Sequence, residues 1–90
     1  MNADSPLIKT VALEQPAPKD VQEILDSLDK LERSALSTLL NFLGNGQSGN
    51  SCEFDLGVCT GYADMLFFAR RIDASQRQAL ASHALDLSLG

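Results

Sequence analysis

The stretch from Pro18 to Leu43 limits what this chain can fold into more than any other part of it. Val21, Ile24, Leu25, Leu28, Leu31, Ala35, Leu36, Leu39, Phe42 and Leu43 recur at spacings of three and four, and a 3.6-residue period gathers them into one apolar stripe. Pro18 suits a first helical turn. Asp20 followed by Glu23 has capping-box spacing, so a start at Ala17 or at Asp20 fits equally well. Gly44, Asn45 and Gly46 end the pattern. Read as one helix at 1.5 Å per residue, the segment is roughly 39 Å long, more than a small single domain needs. Such a helix calls for a partner.

The width of the stripe strengthens that expectation. At 100° per residue, Leu36, Leu39, Leu40, Phe42 and Leu43 spread over about 160°, which one neighbouring helix cannot cover. Glu32 falls inside this arc, whereas Asp26 and Asp29 face away and can pair with Lys30 and Arg33 at i,i+4. Glu32 is then either a rim carboxylate with its stem on the core or a partly buried acid with a polar partner.

The remaining segments read as a return path. GNGQSGN, residues 44–50, is a turn segment, and it lacks the lysine and preceding strand of a phosphate-binding loop. In residues 52–72, Cys52, Phe54, Leu56 and Val58 alternate as in a strand, but Val58, Cys59, Tyr62, Met65, Leu66, Ala69 and Ile72 keep helical spacing. With no second strand to pair with, a helix is expected, starting between Ser51 and Thr60. An early start puts Gly57 and Gly61 inside it, at about 1 kcal/mol each relative to alanine, and close backbone approach is the expected compensation. Counting back from a hairpin turn near Gln47 sets Gly61 opposite Ser34 and Gly57 opposite Thr38, brings Tyr62 to Glu32 as a phenol donor, and carries Arg70 and Arg71 to the level of Glu23 and Asp26. Asp73 with Gln76 repeats the capping spacing and announces a third, alanine-rich helix from Ala74 to about Leu87.

Charge and chemistry narrow the function class. A net charge of −5 opposes nucleic-acid or anionic-membrane binding, which needs clustered lysine and arginine. Residues 1–18 lack a basic region followed by an apolar run, and no stretch approaches about 18 consecutive apolar residues, so the chain is read as cytoplasmic. Cys52 and Cys59, seven apart, would lie about 10 Å apart on a helix, beyond the roughly 7 Å limit for a bridge, so both are expected to be reduced and mostly buried. His83 is the only histidine, which leaves no metal site and no nucleophile–histidine–acid set; neither metal nor cofactor is expected, and no enzyme activity.

Together these readings give an all-α chain: a flexible N-terminal arm over residues 1–17, with Leu7, Ile8, Val11 and Leu13 able to dock along a groove on a partner or on a second copy, then one domain over 18–90. The domain is expected to be a long helical hairpin plus a short third helix, closing as a helical-bundle homodimer. Leu36, Leu39, Leu40, Leu43, Phe67 and Phe68 are the expected protein-interaction surface, with Glu32 and Tyr62 as a buried polar pair. The function expected of such a surface is regulatory: a small acidic module that blocks the oligomerisation or effector surface of a protein partner such as a transcriptional regulator. A homo-oligomeric assembly subunit is the alternative.

Overall fold

The computed structural model describes residues 10–90. Among these residues the chain is all-helical, with no strand: α1 spans Lys19–Ser27, α2 Lys30–Asn45, α3 Cys52–Phe68 and α4 Ala74–Ser88. The expected single helix from Pro18 to Leu43 is therefore two helices, and the layout is a four-helix one.

The break has a local cause. Leu28 is extended, with φ −83° and ψ 157°. The Asp29 carboxylate accepts from the Glu32 backbone N–H at 2.8 Å, while the Glu32 carboxylate accepts from the Asp29 N–H at 3.3 Å. That reciprocal pair is a capping box, and it starts a new helix where the old one would have continued. Just before it, the Ser27 hydroxyl donates to the Ile24 carbonyl and occupies one of the oxygens left free at the end of α1. The apolar pattern changes phase at the same place: Leu28 is buried and Leu31 is exposed.

The other ends follow local chemistry as well. α2 stops at Gly46, whose φ of 67° is left-handed and whose N–H bonds to the Phe42 carbonyl at 2.8 Å. Ser51 caps α3 by accepting from the Phe54 N–H, so α3 begins at the early limit of its expected range and runs through Gly57 and Gly61. At its far end the Arg71 N–H reaches back to the Leu66 carbonyl at 2.8 Å with Arg70 left-handed at φ 61°, a Schellman closure in which arginine occupies the usual glycine position. Asp73 and Gln76 form the expected capping box of α4.

Splitting the long helix changes what covers what. Val21, Ile24 and Leu25 of α1 join Leu36, Leu40 and Leu43 of α2, Cys59, Ala63 and Leu66 of α3, and Leu80 and Ala84 of α4 in one core. At roughly 1.5–3 kcal/mol for each fully buried large apolar side chain, this shared core is the main source of stability. The Cα radius of gyration, 12.9 Å, is close to the about 12 Å expected of a compact chain of this length. The apolar width of α2 is thus taken up within the chain, chiefly by α3 and α4, with α1 and the segment before it covering the rest.

That segment had been expected to be a mobile arm. From Val11 onward it is docked on α2: the Val11 N–H donates to the Ser34 hydroxyl, the Glu14 N–H to the Asn41 side chain, and Asn41 in turn to the Ala12 carbonyl. Leu13 and Ala17 pack against the core. Leu7 and Ile8, with the rest of residues 1–9, lie outside the described residues.

Candidate functional site

The expected interaction surface divides when placed on the fold. Leu36, Leu40 and Leu43 are 0%, 2% and 6% exposed, so they are core residues and present nothing to a partner; α3 and α4, joined by α1, pack around α2 and close over them. Leu39 and Phe67 are partly buried against that core, and the Arg77 guanidinium lies 4.3 Å from the centre of the Phe67 ring. Phe68 alone of the six stands well out, 75% exposed, with its ring edge-on to Phe67 at 5.4 Å.

The expected Glu32–Tyr62 pair is also replaced. Glu32 is held by Arg71, whose Nε and Nη2 each donate at 2.9 Å to opposite carboxylate oxygens. Tyr62 makes no hydrogen bond to it. Burial, followed by the nearby charges of Glu32 and Asp29, pushes the Tyr62 hydroxyl above its ordinary pKa. Arg71 therefore sits at the start of α2 rather than at the level of Glu23 and Asp26, and its hydrogen bonds to Glu32, followed by the charges of Glu32 and Asp29, raise its own pKa.

A different surface emerges on α3. Phe54, Val58, Met65 and Phe68 are 56%, 40%, 46% and 75% exposed, and Gly57 and Gly61 lie exposed between them. At 100° per residue these six positions fall within an arc about 100° wide, and at 1.5 Å per residue the arc runs about 21 Å along the helix. On the opposite side, Asp55, Cys59, Ala63 and Leu66 are buried. A helix that is apolar all round buries one side in its own core and offers the other. No charged residue interrupts the outward stripe; Glu53 and Asp64 flank it on one edge, Asp64 paired with Arg77 at 3.8 Å.

The two glycines of this stripe correct a further expectation. A methyl group added at Gly57 or at Gly61 would meet nothing within 4 Å, so neither helix packs closely against them. Their helical cost of about 1 kcal/mol each has no return among the described residues.

The stripe was readable and was missed. Phe54, Val58, Gly61, Met65 and Phe68 stand at spacings of four, three, four and three, a heptad-like seam. The alternation of Cys52, Phe54, Leu56 and Val58 mimics a strand and masks the first two of these positions.

The concave sites are a small cavity and open surface clefts, one of them, about 660 Å³, lined by Phe67, Phe68, Arg70 and Arg71. The cavity lined by Leu13, Glu14, Leu40, His83 and Leu87 holds about 10 Å³, room for about one water molecule. Burial holds the His83 imidazole below its ordinary value of 6.5, against the opposing pull of Asp86 and Asp20. Both thiols are free; Cys59 is buried, whereas Cys52 is exposed, contrary to expectation, with its thiol donating to the Ser88 carbonyl at 3.4 Å. Burial pushes the Cys59 thiol up to about 11. Among the described residues no three His, Cys, Asp or Glu side chains are placed to hold a metal ion, and no helix is long and apolar enough to cross a membrane. Comparison with protein families, with characterised proteins and with solved structures finds no match to this chain.

Proposed function

We propose that this protein is a small acidic protein-interaction module, a regulatory subunit that acts by seating the outward stripe of α3 against an apolar helix face of another protein. Occupying such a face blocks the partner's own oligomerisation or effector contacts, as expected of a module that binds a transcriptional regulator without touching DNA. The observation that carries this reading is the uncharged stripe of Phe54, Val58, Met65 and Phe68 on a helix whose other side is already buried. Contiguous exposed apolar surface of this kind marks interaction sites, and aromatic residues and methionine are enriched at their centres. The acidic body, at −5 overall, suits a neutral or basic partner.

Affinity capture at physiological salt tests it. The wild-type chain should retain a discrete partner, and Met65→Lys, which leaves the core intact, should lose it. Equal recovery by both proteins would count against the stripe.

A further inference from the structure

The geometry points to a second binding site: the groove along α2 that residues 11–16 fill is a peptide site, which takes an extended, leucine-anchored segment of a protein partner once that segment displaces the chain's own strap.

The hydrogen bonds carry this. The Asn41 side chain accepts from the Glu14 N–H and donates to the Ala12 carbonyl, each at 2.9 Å. Those are the two bonds that a residue of a neighbouring parallel strand makes around the residue between them, here Leu13. One side-chain amide therefore stands in for a strand, and it reads backbone rather than sequence. At Val11 the N–H donates to the Ser34 hydroxyl at 3.1 Å, again through a backbone group. Ser34 to Asn41 is about 10.5 Å of helix and Val11 to Glu14 is about 10 Å of extended chain, so strap and helix advance in step. Leu13 lies between these clamps and packs against the core beside Leu40 and Leu87. Main-chain hydrogen bonds with a pocket for a chosen side chain are the terms on which extended peptides are recognised.

The strap under-fills its own place. None of residues 10–18 is fully buried, and the bonds at Glu14 and Ala12 are exposed. Beside the strap an open cleft of about 460 Å³, bordered by Gln22, Arg33 and Ser37, stays unfilled. Segments with few buried contacts and exposed hydrogen bonds open locally far more readily than a core does. A second copy's strap brings only the same contacts, and it loses to the tethered one, whose effective concentration is of roughly millimolar order. A partner's segment that also fills the cleft gains contacts that the strap lacks. No residue of the α3 stripe lines this groove.

Fluorescence anisotropy of a labelled synthetic peptide spanning residues 10–18, added to the full chain, is the test, with circular dichroism to follow the fold. Leu13→Ser in the chain frees the groove and should bind the peptide at least about tenfold more tightly than wild type does. Asn41→Ala in that background should undo the gain. A peptide whose Val11, Glu14 and Gln15 are all alanine should lose less than about tenfold, whereas one lacking the leucine should not bind. Met65→Lys should leave these affinities unchanged, so failure here is separable from failure of the α3 stripe. Equal binding by wild type and a folded Leu13→Ser chain, or indifference to Asn41→Ala, would overturn the site. A dimer that Leu13→Ser abolishes in sedimentation would give the groove to a second copy and overturn the partner. Should Leu13→Ser lose helix content, amide hydrogen exchange of wild type decides: Val11 and Glu14 should exchange at least about a hundredfold faster than Leu40, and equal protection would overturn the strap's release.

Discussion

Arg71, just past the end of α3, grips Glu32 in the first turn of α2 through two parallel hydrogen bonds, each 2.9 Å long. The same carboxylate closes the capping box with Asp29, so one side chain both starts a helix and ties it to the end of another. Asp29 lies 3.7 Å from the same guanidinium.

The capping box carries a measurable share of stability. Asp29→Ala should cost about 1 kcal/mol, a fall in melting temperature of about 4–8 °C for a domain of this size. Because the Arg71 contact is partly exposed, Arg71→Ala should cost less, and the loss should shrink further in high salt. Thermal unfolding followed by circular dichroism checks both; a loss for Arg71→Ala exceeding that for Asp29→Ala would contradict this ordering.

Leu36 and Phe68 should behave as opposites. Leu36→Ala removes a wholly buried side chain and should destabilise by about 2–5 kcal/mol, whereas Phe68→Ala, measured at concentrations where the chain is monomeric, should stay within about 0.5 kcal/mol of wild type. Urea unfolding of the two variants decides the matter. Similar losses would mean that the core and the outward stripe have been assigned to the wrong helices.

The thiols should label one at a time. With Cys52 exposed and Cys59 buried, an alkylating reagent at mildly alkaline pH should modify one thiol per folded chain and two in denaturant, counted by mass spectrometry. The Cys59 shift also has a sign: the folded state keeps that proton up to about 11, against an ordinary 9.0, so it binds more protons than the unfolded state in that window. Its contribution to stability is full below pH 9.0 and is lost as pH rises toward about 11. Cys59→Ala should flatten that part of the alkaline profile.

His83 works in the other direction. Its folded value lies below its ordinary 6.5 because of burial, so the unfolded state binds the proton more readily. Stability from this group is full above pH 6.5 and declines as the pH falls below it. Comparing unfolding free energies of wild type and His83→Gln from neutral pH down to about pH 5 should show a shallower decline in the variant. Parallel profiles would assign the slope to the carboxylates instead.

Gly57→Ala should stabilise the monomer by about 1 kcal/mol, because the position is helical, exposed and has open space around it. Denaturation of the variant at low protein concentration reads this directly; a loss of stability would reveal a contact with the missing methyl position.

Helical class, the cap at Asp73 and the stop at Gly46 were legible because each depends on neighbours along the chain. The break at Leu28 was not read, although Asp29 and Glu32 have the spacing that had been recognised at Asp20 and Glu23. The uninterrupted run of leucines hid it, since periodicity alone does not register a change of phase between Leu28 and Leu31. The exposed side of α3 was hidden for a related reason: Leu66 and Met65 are neighbours of like hydropathy, and only packing decides that the first is buried and the second is not. Glu32 found Arg71 because the Schellman turn at Arg70 redirects the chain, a geometry that hairpin counting does not include.

The two-residue joint at Leu28 and Asp29 also decides whose first helix completes which bundle. With the helix broken there, Val21, Ile24 and Leu25 reach their own molecule's core. Were the joint to straighten into continuous helix, the same three side chains would be carried away from that core and could complete a neighbour's instead, an exchange of identical elements between two molecules. A hinge this short, set by one capping aspartate, is what keeps each molecule's first helix at home.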